Sequence, residues 1–282
     1  MPDQQAQLEW EARAGRFAAL GAFVAALAPV ASAIVLNAIL PVHINNDVEQ
    51  VNALAKHSSA FTISTVIAAI GWLAFIIPLG YLLRATRARI DAPRWIDPLI
   101  VVGPILLIAA LGVGIADVVN RSQDALPVTK KEATDLLRDV SPAVRGLGAA
   151  GALAIAAAFV MVSTYAGRAG LLSRFMTIMG AIIGGLTVFG TLVGAGSLGG
   201  PIVLFWGIAL GMLFLGRWPG GRGPAWETVE AIPWPSAQDR ALAQQEAAEE
   251  AAEADDAEPE PEPVRQPNPR ASRKRKKKKA RR

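Results

Sequence analysis

Apolar and polar positions do not alternate along this chain; they come in blocks. Six runs, at about 17–42, 60–83, 98–118, 146–167, 175–197 and 200–216, have no Asp, Glu, Lys, Arg or His in their middle. At about 1.5 Å of rise per residue, the longer runs reach across a hydrocarbon layer of about 30 Å. A β-barrel would show alternating segments of about ten residues, and stretches such as 104–115 do not alternate. The pattern predicts an all-α fold, a polytopic membrane bundle of six transmembrane helices over 17–216. The last two runs share an uncharged stretch of about 42 residues, 175–216, with Ser197-Leu198-Gly199-Gly200-Pro201 as the expected turn between them.

Ala31-Ser32-Ala33 looks like a small-residue cleavage site, but the apolar run continues through Ile34, Val35, Leu36, Ile39 and Leu40, and the leader carries Asp3, Glu9 and Glu11. A removed signal peptide is therefore not expected. In the polar segment 1–16 and its junction, Leu8, Trp10, Ala12 and Phe17 form a stripe that suits the headgroup region or a fraying helix end.

Two connections carry helix signals. Around 46–57, Asn46 is placed to cap and Glu49 to reach back; around 129–140, Thr129 and Glu132 repeat the pattern. Each predicts a short external amphipathic helix closing a membrane hairpin, and the two capped hairpins followed by an uncapped third suggest a structural repeat.

Lys and Arg number two before the first run, one after it, four after the second (Arg84, Arg87, Arg89, Arg94), five after the third, two after the fourth and none after the fifth. Alternate connections sum higher starting from the N-terminus, which places both termini in the cytoplasm; short loops and an Ala-, Gly-, Arg- and Pro-heavy composition suggest a bacterial chain, and with it the bacterial inner membrane. The third connection, with Arg121, Lys130, Lys131, Arg138 and Arg145, is discordant.

After the sixth run, 217–235 sets Trp218, Trp226 and Trp234 among Gly and Pro and is expected to run irregularly along the headgroups. The tail, 236–282, is low in complexity: an Ala/Glu block with nine acids between Glu246 and Glu262, a Pro spacer and a basic end. That end comprises Arg273, Lys274, Arg275, Lys276, Lys277, Lys278, Lys279, Arg281 and Arg282. Such a cluster fits anionic lipid, an acidic protein partner, or nonspecific RNA or ribosome contact; without interleaved aromatics it has no means of stacking on bases.

Charge at membrane depth marks pumps and proton relays, and these runs carry none. Asn37, Thr187 and Thr191 are the candidate intramembrane polar site, with Asn37 expected to point into the bundle as packing glue or beside a solute path. Gly180, Gly184, Gly190, Gly194, Gly207 and Gly211 repeat a spacing of four that lets helices approach closely, between spans or across a homo-oligomer face. Asp97 suits a helix start and Asp117 an i,i+4 pair with Arg121. The chain has no cysteine, and His43 and His57 lack a third ligand, so no metal site is expected. No H-E-x-x-H, G-x-S-x-G or phosphate-loop motif occurs, so neither an enzyme nor a cofactor is expected.

The entry through Arg13-Ala14-Gly15-Arg16-Phe17, the exit through Leu82-Leu83-Arg84-Ala85-Thr86-Arg87-Ala88-Arg89 and the segment Gly216-Arg217-Trp218-Pro219-Gly220-Gly221-Arg222-Gly223-Pro224-Ala225-Trp226 carry a family resemblance. Over residues 13–235 the chain resembles uncharacterised six-span bacterial membrane proteins of the domain-of-unknown-function type. The resemblance implies the layout and no activity. The functional expectation is a non-enzymatic envelope scaffold or accessory subunit with a lipid- or partner-binding tail. The alternatives are a passive small-solute transporter and a ribosome-associated insertion helper.

Overall fold

The computed structural model describes residues 4–39, 46–193, 200–219 and 221–235, with a few isolated positions between 238 and 248. Every described regular element is helical: α1 (Gln4–Ile39), α2 (Asp47–Lys56), α3 (Ser58–Ala74), α4 (Ile76–Arg87), α5 (Ile96–Asp124), α6 (Lys130–Arg138), α7 (Pro142–Arg168), α8 (Arg174–Val193) and α9 (Gly200–Phe214), followed by a single 3₁₀ turn at Pro224–Trp226. The chain divides into two units, Met1–Trp234 and Pro235–Arg282. In the second, the described positions from Gln238 to Ala248 are helical and exposed, and the basic end lies outside the described residues.

Five helical stretches are long and apolar enough to cross a membrane: Gln4–Ile39, Ser58–Arg87, Ile96–Asp124, Pro142–Arg168 and Arg174–Thr191. α9 is equally apolar but has only 15 residues. The exterior matches, with Phe17, Leu20, Ile34, Val66, Val113 and Phe189 among many exposed large side chains, a surface suited to hydrocarbon rather than water.

The second run is two helices, not one. Pro78 has no N–H to give the Ala74 carbonyl, so the ladder is interrupted at Phe75, whose N–H turns to Trp72 O at 3.3 Å.

Small residues set the register between helices. α7 lies between α5 and α8, while α1 packs on α3, α4 and α9. A Cβ on Gly103 would come within 2.7 Å of the Ile155 nitrogen, and one on Gly151 within 2.7 Å of the Leu107 nitrogen; farther along, Gly148 faces Ala110 and Gly114 faces Val144. Steps of three or four forward on α5 match equal steps back on α7, the signature of an antiparallel pair held at backbone contact. Around them Phe75, Phe159 and Trp206 fill the centre, ring to ring at 5.2 and 5.4 Å.

At one end, here the top, α2 and α6 pack on each other and on α5. Glu49 N–H donates to Asn46 Oδ1 at 2.9 Å, and Thr129 and Glu132 form a full capping box. The Thr134 hydroxyl donates to Asp47 Oδ2 at 2.5 Å, tying one short helix to the other. Arg121 pairs with Asp117 at 2.7 Å on its own helix and reaches Asp139 at 3.5 Å.

Gly103→Leu should lower the melting temperature of the detergent-solubilised protein, costing about 1–3 kcal/mol by overpacking, whereas Gly112→Ala, facing open space, should leave it unchanged or slightly raised. Hydrogen bonds from the Thr129 backbone N–H and then its hydroxyl lower the pKa of Glu132 below the ordinary glutamate value. Since the folded pKa is the lower one, the cap's contribution is complete above the unfolded pKa and is lost as pH falls through the folded one. NMR titration should place Glu132 below the ordinary glutamate range and return it there in Thr129→Ala.

Candidate functional site

At the opposite end, the base, lie the first turns of α1, the 88–95 connection, the 169–173 turn and the segment after α9. Two helices finish here in the same way. α7 ends with Gly170 at φ 74°, its N–H on Gly167 O at 3.1 Å and the Leu171 N–H on Ala166 O at 2.9 Å; α9 ends with Gly216 at φ 70°, its N–H on Leu213 O at 2.9 Å and the Arg217 N–H on Met212 O at 2.8 Å. Arg222 then folds back under α9, donating through Nε to Leu213 O at 3.0 Å and through a second nitrogen to Phe214 O. Carbonyls that the helix leaves open are thereby satisfied.

Arg89, just past α4, is the centre of the base. Its side chain is fully buried and that of Glu11 is 5% exposed. Glu11 accepts two hydrogen bonds from it, from Nη1 at 2.7 Å and Nη2 at 3.0 Å. The other donors go to carbonyl oxygens: Nε to Ala225 at 2.8 Å, Nη1 to Ala85 at 2.8 Å and Nη2 to Thr228 at 2.9 Å. Five N–H groups meet five acceptors, the full inventory of a guanidinium. One side chain therefore joins α1, α4 and the segment leading toward the tail. Gln7 Nε2 also donates to Glu11 Oε1 at 3.0 Å, and the Tyr81 hydroxyl donates to the Glu11 carbonyl at 3.1 Å.

Aromatic rings surround the clamp. Tyr81 stacks on Trp226 at 6.1 Å and meets Phe214 edge-on at 4.9 Å; Arg222 lies 5.3 Å from the Trp226 ring centre. The Trp226 indole N–H donates to Leu171 O at 2.9 Å, so the post-α9 segment also covers the α7–α8 turn. Apart from the 3₁₀ turn, the described residues over 217–235 are irregular, as their Gly and Pro content predicts. The segment 217–235 folds in against the helices at Ala225 and Trp226, both buried, because their polar groups find partners there. The leader continues α1, and its inward side carries Glu11, Gly15 and Ala18, while Ala12 and Phe17 of the apolar stripe face out.

The expected intramembrane polar site does not assemble. Asn37 is exposed rather than inward and donates to Ala33 O of its own helix at 2.8 Å. Thr187 and Thr191, on α8, likewise donate to Ile183 O and Thr187 O, both at 2.8 Å. Each polar group finds the nearest backbone carbonyl four residues back, which removes any need for a common centre. Polar contacts that do cross between helices are Ser32 to Ser64, hydroxyl to hydroxyl at 2.7 Å, and the Trp206 indole N–H of α9, which donates to Met176 O of α8 at 3.0 Å.

Among the glycines, Gly180 faces Ser163 and Gly184 faces Ala156 O and Val160, both on α7; Gly207 faces Ala26 and Gly211 faces Phe23, both on α1. Gly190 is buried in α8, and Gly194 and His43 lie outside the described residues. No group of three or more His, Cys, Asp or Glu suited to a metal occurs among the described residues. Asp97 accepts a two-pronged pair from Arg87 at 2.8 and 2.9 Å.

Sequence reading missed the clamp because Glu11 and Arg89 are 78 positions apart and each looks like an ordinary flanking charge. The available signal was the run of Gly, Pro and Trp after α9, too aromatic for a plain linker. Compared with known protein families, curated proteins and solved structures, the chain matches none.

Removing one partner of a buried pair strands the other, at about 3–5 kcal/mol. Arg89→Leu and Glu11→Leu should each lower the melting temperature sharply, and the double variant should be more stable than the sum of the single losses predicts, as read by Trp fluorescence melts in micelles.

Proposed function

We propose that this is a non-enzymatic, multi-pass protein of a bacterial inner membrane, an envelope scaffold or accessory subunit whose bundle anchors a charged cytoplasmic tail. The observation that carries the reading is the Arg89 clamp. With every donor of Arg89 and both carboxylate oxygens of Glu11 engaged, the polar centre of the base has the character of a joint, and what it joins is the bundle and the segment preceding the tail. A centre filled by Phe75, Phe159 and Trp206 suits an anchor. Transport past Asn37 loses its motivation, since that side chain is exposed and bonded to its own helix.

Six crossings belong to the proposal. α9 runs antiparallel to α1, with Gly207 at Ala26, Gly211 at Phe23 and Phe214 O near Gly15, and so returns to the base; its 15 residues cover about 22 Å at the usual rise. The base faces the cytoplasm on this reading, since Arg13, Arg16, Arg84, Arg87, Arg89, Arg94, Arg168, Arg174, Arg217 and Arg222 belong to it. Kinship with six-span bacterial membrane proteins of the domain-of-unknown-function type is part of the same proposal.

The tail's role is tested with the full chain and a variant lacking 236–282, both inserted in vesicles. Binding of a second population of phosphatidylglycerol vesicles should require the tail and weaken with salt as charge contacts are screened. Salt-sensitive cosedimentation with ribosomes, lost on deletion of 271–282, would instead favour the insertion helper, and bridging unchanged by deletion would overturn the tail's part.

A further inference from the structure

On the outer surface of α8 and α9 near the base, three aromatic rings form a continuous ladder. Phe175 meets Phe205 edge-on at 6.0 Å, and Phe205 meets Trp218 edge-on at 6.4 Å. Phe175 is 54% and Phe205 44% exposed, and Trp218 is half-buried. The ladder is flanked in the chain by Arg174 at one end and Arg217 at the other, both exposed and neither with an acidic partner among the described residues. Other arginines of the base are taken up within the protein: Arg87 and Arg89 are paired with carboxylates, and Arg222 donates to carbonyls.

We propose that this ladder and its two arginines seat one anionic phospholipid, its acyl chain along Phe175, Phe205 and Trp218 and its phosphate between Arg174 and Arg217. The surface asks for an amphiphile because apolar area and uncompensated positive charge adjoin each other. Guanidinium groups offer paired donors that match phosphate oxygens, and the ring edges of a tryptophan suit the level where chains meet head groups. Charge complementarity selects an anionic head over a zwitterionic one, whose own cation would stand beside the arginines. The site belongs to the bundle and is independent of the tail, but it rests on the membrane reading above.

The test uses the full chain in phosphatidylcholine vesicles carrying the same small fraction of brominated-acyl phosphatidylglycerol or brominated-acyl phosphatidylcholine. Emission of Trp218 is obtained as the difference between the native chain and Trp218→Phe. Brominated phosphatidylglycerol should quench it as though enriched about fivefold over its bulk fraction, the order expected of a cation close to an anionic head group. The preference should vanish in the Arg174→Gln/Arg217→Gln variant and persist in Arg13→Gln/Arg16→Gln. Because the first double variant keeps every tryptophan, the loss is also readable in total emission if Trp218→Phe disturbs folding. Equal quenching by the two lipids, or a preference that survives Arg174→Gln/Arg217→Gln, would overturn the seat. Flotation with the vesicles after alkaline washing is scored separately: a native chain that fails to float overturns the membrane reading and the seat together, whereas one that floats without lipid preference overturns the seat alone.

Discussion

Burying a guanidinium is tolerable only when its charge and all its N–H groups are compensated, and the base of this bundle is organised by that requirement. Glu11 supplies the charge and two acceptors; Ala85, Ala225 and Thr228 supply carbonyls. These acceptors come from three distant parts of the chain, so the clamp forms only when the leader, the end of α4 and the segment after α9 are in place together. The arrangement makes the closing of the base cooperative. It also explains why a Gly- and Pro-rich segment is ordered: its carbonyls are ligands of the arginine, and its Trp226 rests between Tyr81 and the α7–α8 turn.

Above that layer the cohesive force is different. Lipid tails are as apolar as leucine, so helices gain little from burying large side chains and much from close approach. The α5–α7 seam shows this, with Gly103 and Gly151 each lying against the backbone of the facing helix. The α1–α9 seam does the same through Gly207, Ala22 and Ala26. Bulky residues then serve in two places: as the central aromatic fill, and as the outward coat that meets hydrocarbon.

Charge is consequently displaced from the middle of the bundle to its two ends. At the top it takes the form of caps and a Thr134–Asp47 tie between two short helices. At the base it takes the form of the clamp and of arginines that differ in their company. Arg87, Arg89 and Arg222, with carboxylate or carbonyl partners, hold the structure together; Arg174 and Arg217, which adjoin exposed rings and have no acidic partner among the described residues, are exposed.

Several features were legible in the residues alone because they depend on near neighbours. The helical character of the long apolar runs follows from hydrogen bonds that close within one segment. The Asn46 and Thr129 caps and the Asp117–Arg121 pair span three or four positions. The break at Phe75 is also local, set by Pro78, although a hydropathy profile passes over it. Tertiary structure alone decided the partners. It turned Asn37 outward, directed Gly180 and Gly184 to α7 rather than α9, and brought Glu11 to Arg89. The physical reason is the same in each case: a side chain's spacing along its own helix says which neighbours it shares a face with, but the group that satisfies it across space depends on how all the helices pack at once.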